Sequence, residues 1–413
     1  MTGLAYNKNR KDIVKEKLIE AFAKLSLEKS FLDITIKDIT RTSGISTTAF
    51  YNYFSSKDDL LKYYVDYSLR SIEKLVDVFI KYRLGLSSMI RGLIHIFTTF
   101  GHDEKLLAFH RVFREFEFLK KDLAELYYTK LLDVLDHVLK FNGIPEDKID
   151  PKTISISIIG SAEFIHLFRR LFNTSGDIST DIEVAGDLIM KGLGIKTLSI
   201  NLQIKDSKDL KELIEEYNIY KLLKIPENKQ MIISAALDVL TNKSFRDSKI
   251  YEFMDKAGYS IGMFYKIYES KEDLLKDLVS IIGKTLRRYL TMCTLEAKDP
   301  VEREVMGTAC FLSFIKKNGT IYRIVRESEY INIDIAKSYY TAFLRSYSRR
   351  IETDIERYRI HIYKPESLAI SLMGINHMIG LVGMILKETD IINFIRDLAK
   401  IYSNGIIGLQ EMK

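Results

Sequence analysis

Apolar residues recur at helical spacing along most of the chain, and the breaks in that rhythm divide it. Ile13, Leu18, Ile19 and Phe22 mark one face of a first amphipathic helix. A short second helix is predicted after "FLDIT", with Thr35 as N-cap and Asp38 three residues on in capping-box spacing, ending near Thr42. Gly44 supplies a tight turn. A third helix is predicted from Ser46 to Phe54, with Ile45, Phe50 and Phe54 turned to the core. Thr47, Thr48, Tyr51 and Asn52 then form an outward stripe, with Tyr53 beside it. Ser56 and Asp59 cap a fourth helix, whose first turn holds Lys57. Three short helices with a glycine turn between the second and third describe a helix-turn-helix module.

The same rhythm returns two hundred residues later, opened by Ile232, Ile233, Ala236, Leu237 and Leu240. "STTAFYNYFSSKDDLL" at 46–61 lies over "SIGMFYKIYESKEDLL" at 260–275, and over 44–62 ten positions are identical at an offset of 214. Average residue usage would give roughly one. "RVFREFEFLKKDLAELYYT" at 111–129 matches "RIVRESEYINIDIAKSYYT" at 323–341, and "PKTISISIIG" at 151–160 matches "PESLAISLMG" at 365–374. With only two copies and so long a period, the pattern reads as a domain duplication and not a solenoid. Between the copies, residues 196–226 carry Leu210, Leu213, Ile214 and Tyr217 at helical spacing up to Pro226, which predicts a structured linker.

The stripe Thr47, Thr48, Tyr51, Asn52 is what a recognition helix needs, since its first turn enters the major groove while its flanks touch phosphate. Lys57 is expected to face a phosphate together with its helix N-terminus, and Lys8, Arg10 and Lys11 are placed to reach a minor groove or phosphate. The second copy keeps Ser260, Tyr265 and Lys271 but has Ile261, Gly262 and Lys266 in the stripe. Lys249 replaces the capping Thr35, and Met254 stands where the first copy has Thr40. Two alternatives follow: this module reads a different half-site, or it has lost base reading and keeps phosphate or structural contacts.

"GISTTAFYNYFSSKDDLL" and "GYSIGMFYKIYESKEDLL" resemble the DNA-binding domain of TetR-type transcriptional regulators over about fifty residues in each half. The resemblance implies an all-α fold of two tandem units, each a three-helix DNA-binding domain followed by a helical regulatory and dimerisation domain. The expected boundaries are 1–66, 67–195, the linker 196–226, 227–280 and 281–413. It implies double-stranded operator DNA as partner, repression as the commoner outcome, and an apolar small-molecule effector held in the helical region. Phe97, Phe100, Phe109, Phe113 and Phe116 either line such a pocket or are core. Subunit pairing in that family uses two helices per subunit. The candidates here are 152–170 with 180–193 and 366–386 with 388–404, where Ser157, Gly160, Ser161, Ser371, Gly374, Gly380 and Gly383 permit close approach. One chain would then form a monomeric pseudo-dimer, with further self-association left open. The alternative is a ligand-binding or interaction protein of the same fold that has lost operator binding.

Composition alters this picture little. The net charge of +6 permits nucleic-acid binding without arguing for it. Cys293 and Cys310 suggest neither zinc nor a disulfide framework, and the N-terminal stretch lacks the apolar core of a secretory signal, so a cytoplasmic protein is expected. Ser367–Leu386 is charge-free for about a bilayer's thickness, but its counterpart carries Glu163, Arg169 and Arg170, which predicts a buried helix and no membrane span. His95, His102 and His110 are too widely spaced for a metal site. Arg111–Glu115 and Arg323–Glu327 are expected as surface ion pairs at i,i+4 spacing. No nucleophile elbow, phosphate loop or convergent acid–base pair is present, so neither enzyme nor cofactor is expected.

Overall fold

The computed structural model describes residues 10–172, 177–195, 206–362, 364–386 and 391–411. Lys8, the Arg10 side chain, and residues 196–205 of the predicted linker lie outside them. Among the described residues the regular structure is helical. In chain order the helices are α1 (Arg10–Glu28), α2 (Ile36–Ser43), α3 (Thr47–Tyr51), α4 (Lys57–Tyr82), α5 (Leu86–Thr99), α6 (Glu104–Phe116), α7 (Lys121–Phe141), α8 (Pro151–Phe172) and α9 (Ser179–Lys191). They continue as α10 (Leu210–Glu216), α11 (Ile219–Leu222), α12 (Glu227–Asn242), α13 (Ile250–Ala257), α14 (Ile261–Ile267), α15 (Lys271–Cys293), α16 (Pro300–Ile331), α17 (Ile333–Tyr358), α18 (Pro365–Ile385) and α19 (Ile391–Glu411).

The chain divides into two compact units. The first is drawn from Met1–Leu84 and His95–Val138, the second from Gly85–Ile94 and Leu139–Lys413. The first regulatory segment expected at 67–195 is thus split between them, with α8 and α9 in the second.

In the first unit, Leu18, Ile19 and Phe22 of α1 are wholly buried where α1 packs on α2 and α6, the helical period doing what it predicts. Each such side chain stabilises by about 1.5–3 kcal/mol. Ile45 is only half-buried and anchors less than its spacing suggested. The five phenylalanines considered for a pocket are buried, and Tyr64, Tyr127 and Phe31 pack against those of α6. Phe113 lies 5.0 Å from Phe116 and 4.3 Å from Tyr127, while Phe109 meets Tyr64 at 5.2 Å and Phe116 meets Phe31 at 6.1 Å. Phe97 and Phe100 are buried as well. Through these rings α6 holds the helix-turn-helix module, Phe116 meeting Phe31 while α6 packs on α1.

In the second unit, α8 packs along α18 and α9 along α19. The closest approach is at Gly160 and Gly374, where a Cβ on the first would stand 2.5 Å from the carbonyl oxygen of the second. A second close pair sits at Gly192 and Gly405, beside hydrogen bonds from Leu193 N to Tyr402 O (2.7 Å) and from Gly194 N to Ser403 O (3.1 Å). Of the described helices, α18 is long and apolar enough to cross a membrane. It is covered instead by α8, α16 and α17, with Leu368, Ile375 and Met378 buried. The described part of the linker lies, at Lys208 and Leu210, against a kink in α16. Asn318 leaves helical geometry there, and its side chain accepts Leu210 N at 2.8 Å and donates to Lys208 O at 3.2 Å.

Candidate nucleic-acid interface

The module at the start of the chain is built by short-range capping. Thr35 accepts the Asp38 amide at 3.1 Å while the Asp38 carboxylate accepts the Thr35 amide at 3.0 Å and its hydroxyl at 2.9 Å, a complete capping box. Lys29 adds an ion pair to the same carboxylate at 3.0 Å. These donors, the Thr35 amide foremost, hold the Asp38 carboxyl far below its usual range. Gly44 then adopts φ 69°, a left-handed value that a side chain would strain, and turns the chain into α3. Ser46 caps α3 by accepting the Ala49 amide at 3.1 Å. The helix closes at Tyr51, short of the predicted Phe54, because Asn52 N and Tyr53 N bond back three residues to Ala49 O and Phe50 O.

Phe50 faces inward, and Thr47, Thr48, Tyr51 and Asn52 face solvent, with Tyr51 55% exposed. The stripe is therefore presented as the sequence arranges it. Tyr53 is half-buried and stands apart from it. Two cations passed over in the sequence, Lys37 and Arg41 of α2, are also exposed, and the Arg41 side chain is 78% so. Their position on the helix just before the glycine turn was the signal.

Lys57, expected to face a phosphate, has its ammonium bound within the module. It donates to the carbonyls of Phe31 (3.0 Å), Leu32 (3.3 Å) and Ile34 (3.0 Å), which end a turn of 3₁₀ helix at Phe31–Asp33. The Phe31 carbonyl also accepts the Ile34 amide at 3.3 Å, and a long flexible cation is the group able to reach all three carbonyls. The other end of the turn is held by Glu115 of α6, which accepts the Ser30 hydroxyl at 2.6 Å and the Phe31 amide at 3.1 Å. Arg111 donates to Leu27 O nearby. Arg111 and Glu115 thus clamp the module from α6; they are more than a surface pair.

The second stretch carries the same clamp. Lys271 donates to the carbonyls of Phe245 and Ser248, the latter at 2.6 Å, and Glu327 accepts Phe245 N at 2.7 Å. Arg323 donates to Lys243 O at 2.7 Å and pairs with Glu327 at 3.0 Å. Gly258 repeats the left-handed turn at φ 72°. The presented surface differs. Ser260 makes no side-chain cap, and Lys249 has no acceptor to offer, so only Glu252 serves the helix start, accepting Lys249 N at 2.7 Å. Ile261 and Tyr265 are 50% and 59% exposed, Gly262 and Lys266 are exposed, and Met254 fills the core. Opposite Lys37 and Arg41, 214 residues on, stand Tyr251 and Asp255, both exposed.

Comparison with known proteins bears on the first of these modules. Residues 18–64 match the family model described as bacterial regulatory proteins, tetR family. An uncharacterized HTH-type transcriptional regulator, YdgC, of Bacillus subtilis (strain 168) is 22% identical over 102 residues, 24% of this chain and 52% of that protein. An uncharacterized HTH-type transcriptional regulator of Haemophilus influenzae is 38% identical over 52 residues, 12% of this chain and 25% of that protein. The chain therefore spans about half the length of one relative and a quarter of the other.

A cavity of about 220 Å³ lies elsewhere, within the second unit, between α15, α16, α17 and α18 with Phe164 of α8 at its edge. None of the first-half phenylalanines that the sequence offers for a pocket lines it. Here Arg287, Arg303 and Arg350 come from three successive helices and meet aromatic side chains of α16 and α17, and only the tertiary fold collects them. Among the described residues no three metal-ligating side chains cluster.

Proposed function

We propose that this chain is a DNA-binding transcriptional regulator, acting as a repressor, that carries two helix-turn-helix modules in cis and responds to a small molecule in its helical region. The observation that carries the reading is the capped, glycine-turned α3, which offers Thr47, Thr48, Tyr51 and Asn52 to solvent inside a segment matching a regulatory family. In this reading those four residues, with Ser46 and Thr35 at the helix starts, meet base edges and phosphates, and Lys37 and Arg41 add phosphate contacts.

The chain arose by tandem duplication and works as a pseudo-dimer. The repeated Lys57/Lys271 and Glu115/Glu327 clamps support this, as does the crossing of α8 on α18, where Gly160 meets Gly374, its own counterpart. Self-meeting positions are the mark of a two-fold contact. Within the pair the modules are unequal. Asp255 in place of Arg41 sets a negative charge where phosphate would lie, and Ile261-Gly262 gives up two hydroxyls. This favours base reading by the first module and phosphate contact, through Lys266, by the second. The cavity of the second unit is the effector site, in a protein of the cytoplasm.

Selection of bound sequences from random DNA by the purified chain tests the reading. A half-site contacted through bases beside a sequence-tolerant flank is expected. Failure to retard any DNA at low salt would leave instead a binding protein of the same fold.

A further inference from the structure

The cavity in the second unit is unusual in how its charges are used. Arg303 is bound by both carboxylate oxygens of Asp354 at 2.8 Å. Arg350 pairs with Glu304, which also accepts the Tyr347 hydroxyl. Each carboxylate is thus occupied by a cation, which leaves little to attract a cationic ligand. Arg287 of α15 is the exception. It is half-buried in the wall, its guanidinium lies 5.0 Å from the centre of the Phe343 ring beside Tyr339, and no carboxylate among the described residues pairs with it. Burial pulls its pKa down, and the neighbouring Tyr339 phenol offsets only part of that. A half-buried guanidinium of this kind is under-compensated, and its planar donors fit a carboxylate in bidentate fashion.

The rest of the wall sets the body of the ligand. Phe164, Phe311, Tyr339 and Phe343 give flat apolar surfaces. The volume of about 220 Å³ exceeds the roughly 150 Å³ that suffices for benzene in an apolar cavity. Resting on the reading of this cavity as the effector site, we propose that it binds an aromatic carboxylate of one or two rings, with the carboxylate on Arg287 and the rings against the aromatic wall.

Calorimetric titration of the full chain with 2-naphthoate, 2-naphthamide and 2-naphthylmethylamine tests this. The carboxylate is expected to bind ten- to a hundredfold more tightly than the amide, the span of a charged hydrogen bond, and the amine weakest. Arg287→Gln should erase that preference and Arg287→Lys keep part of it, with helical content checked for each. Equal or tighter binding of the amide or amine to the unaltered chain overturns the proposal, as does no binding by any of the three. Should Arg287→Gln fail to fold, the wild-type series and Arg287→Lys decide. DNA retardation on the same preparations separates the two readings. Carboxylate binding without DNA binding sinks the regulator and spares the ligand class; DNA binding without ligand preference does the reverse.

Discussion

The Glu115 carboxylate accepts the Ser30 hydroxyl at 2.6 Å and, through the same oxygen, the Phe31 amide at 3.1 Å. One side chain of α6 thereby fixes the turn that orients α2 and α3, with Lys57 holding its far end. Glu115→Ala strands both donors. Hydrogen bonds to a charged group contribute about 1.5–3 kcal/mol, so a loss of about 2 kcal/mol is expected in denaturant unfolding, with faster hydrogen exchange at the Phe31 amide. An unshifted midpoint with unchanged exchange would show that the clamp contributes nothing.

Tyr51 and Lys57 should part company in DNA binding. Tyr51→Ala, on the exposed stripe, is expected to weaken binding by about 1–3 kcal/mol without altering the melting temperature. Lys57→Ala should lower thermal stability while leaving the salt dependence of binding nearly unchanged, because its ammonium serves three carbonyls. A drop of about one in the salt slope for Lys57→Ala would return that residue to a phosphate.

Capping and turns were legible along the chain because they depend on residues three or four apart: Thr35 with Asp38, Ser56 with Asp59, Gly44 alone. The stripe on α3 followed from the same local geometry. The partners of Lys57 were not legible, since its three carbonyls lie more than twenty residues away and carbonyls leave no trace in residue type. Arg111 and Glu115 misled for a related reason. Spacing of i,i+4 marks a helix face but is silent on whether that face meets water or a neighbouring turn. The cavity beside Arg287 was hidden because it is assembled by tertiary packing.

The inequality of the modules gives a charge test. Lys266→Ala should reduce the salt slope of DNA binding by about one if the second module touches phosphate. Asp255→Arg, restoring the charge found at Arg41, should tighten binding at low salt, and the gain should fade as salt rises. Retardation at several salt concentrations reads both. If neither substitution changes affinity, the second module does not lie on DNA.

Acid should loosen the first module through Asp38. Its folded pKa is depressed by the Thr35 amide, Lys29 and the Thr35 hydroxyl. The stabilisation is therefore fully present above the ordinary value of 3.8 and is lost as pH falls below it. Asp38→Asn lacks this titration. The melting difference between the two proteins is expected to be largest at neutral pH and to shrink toward pH 3. A difference that stays constant from neutral pH to pH 3 would refute the linkage.

Gly160 and Gly374 carry the sharpest prediction for the bundle. A Cβ on Gly374 would stand 2.0 Å from Gly160 O, and one on Gly160 would stand 2.5 Å from Gly374 O. Both obstacles are backbone, so α8 and α18 would have to separate. Gly160→Ala and Gly374→Ala are each expected to destabilise by about 1–3 kcal/mol or more. The double substitution should cost less than their sum, because helices already moved apart accommodate both methyl groups. Gly383, further along α18, has nothing within 4 Å of its would-be Cβ. Gly383→Ala should therefore stabilise by up to about 1 kcal/mol, the gain in helix propensity. Denaturant unfolding of the four variants compares them directly. Additive losses for the first pair, or a loss at Gly383 equal to theirs, would mean that helix propensity and packing elsewhere set the stability of α18 and that the glycine crossing does not.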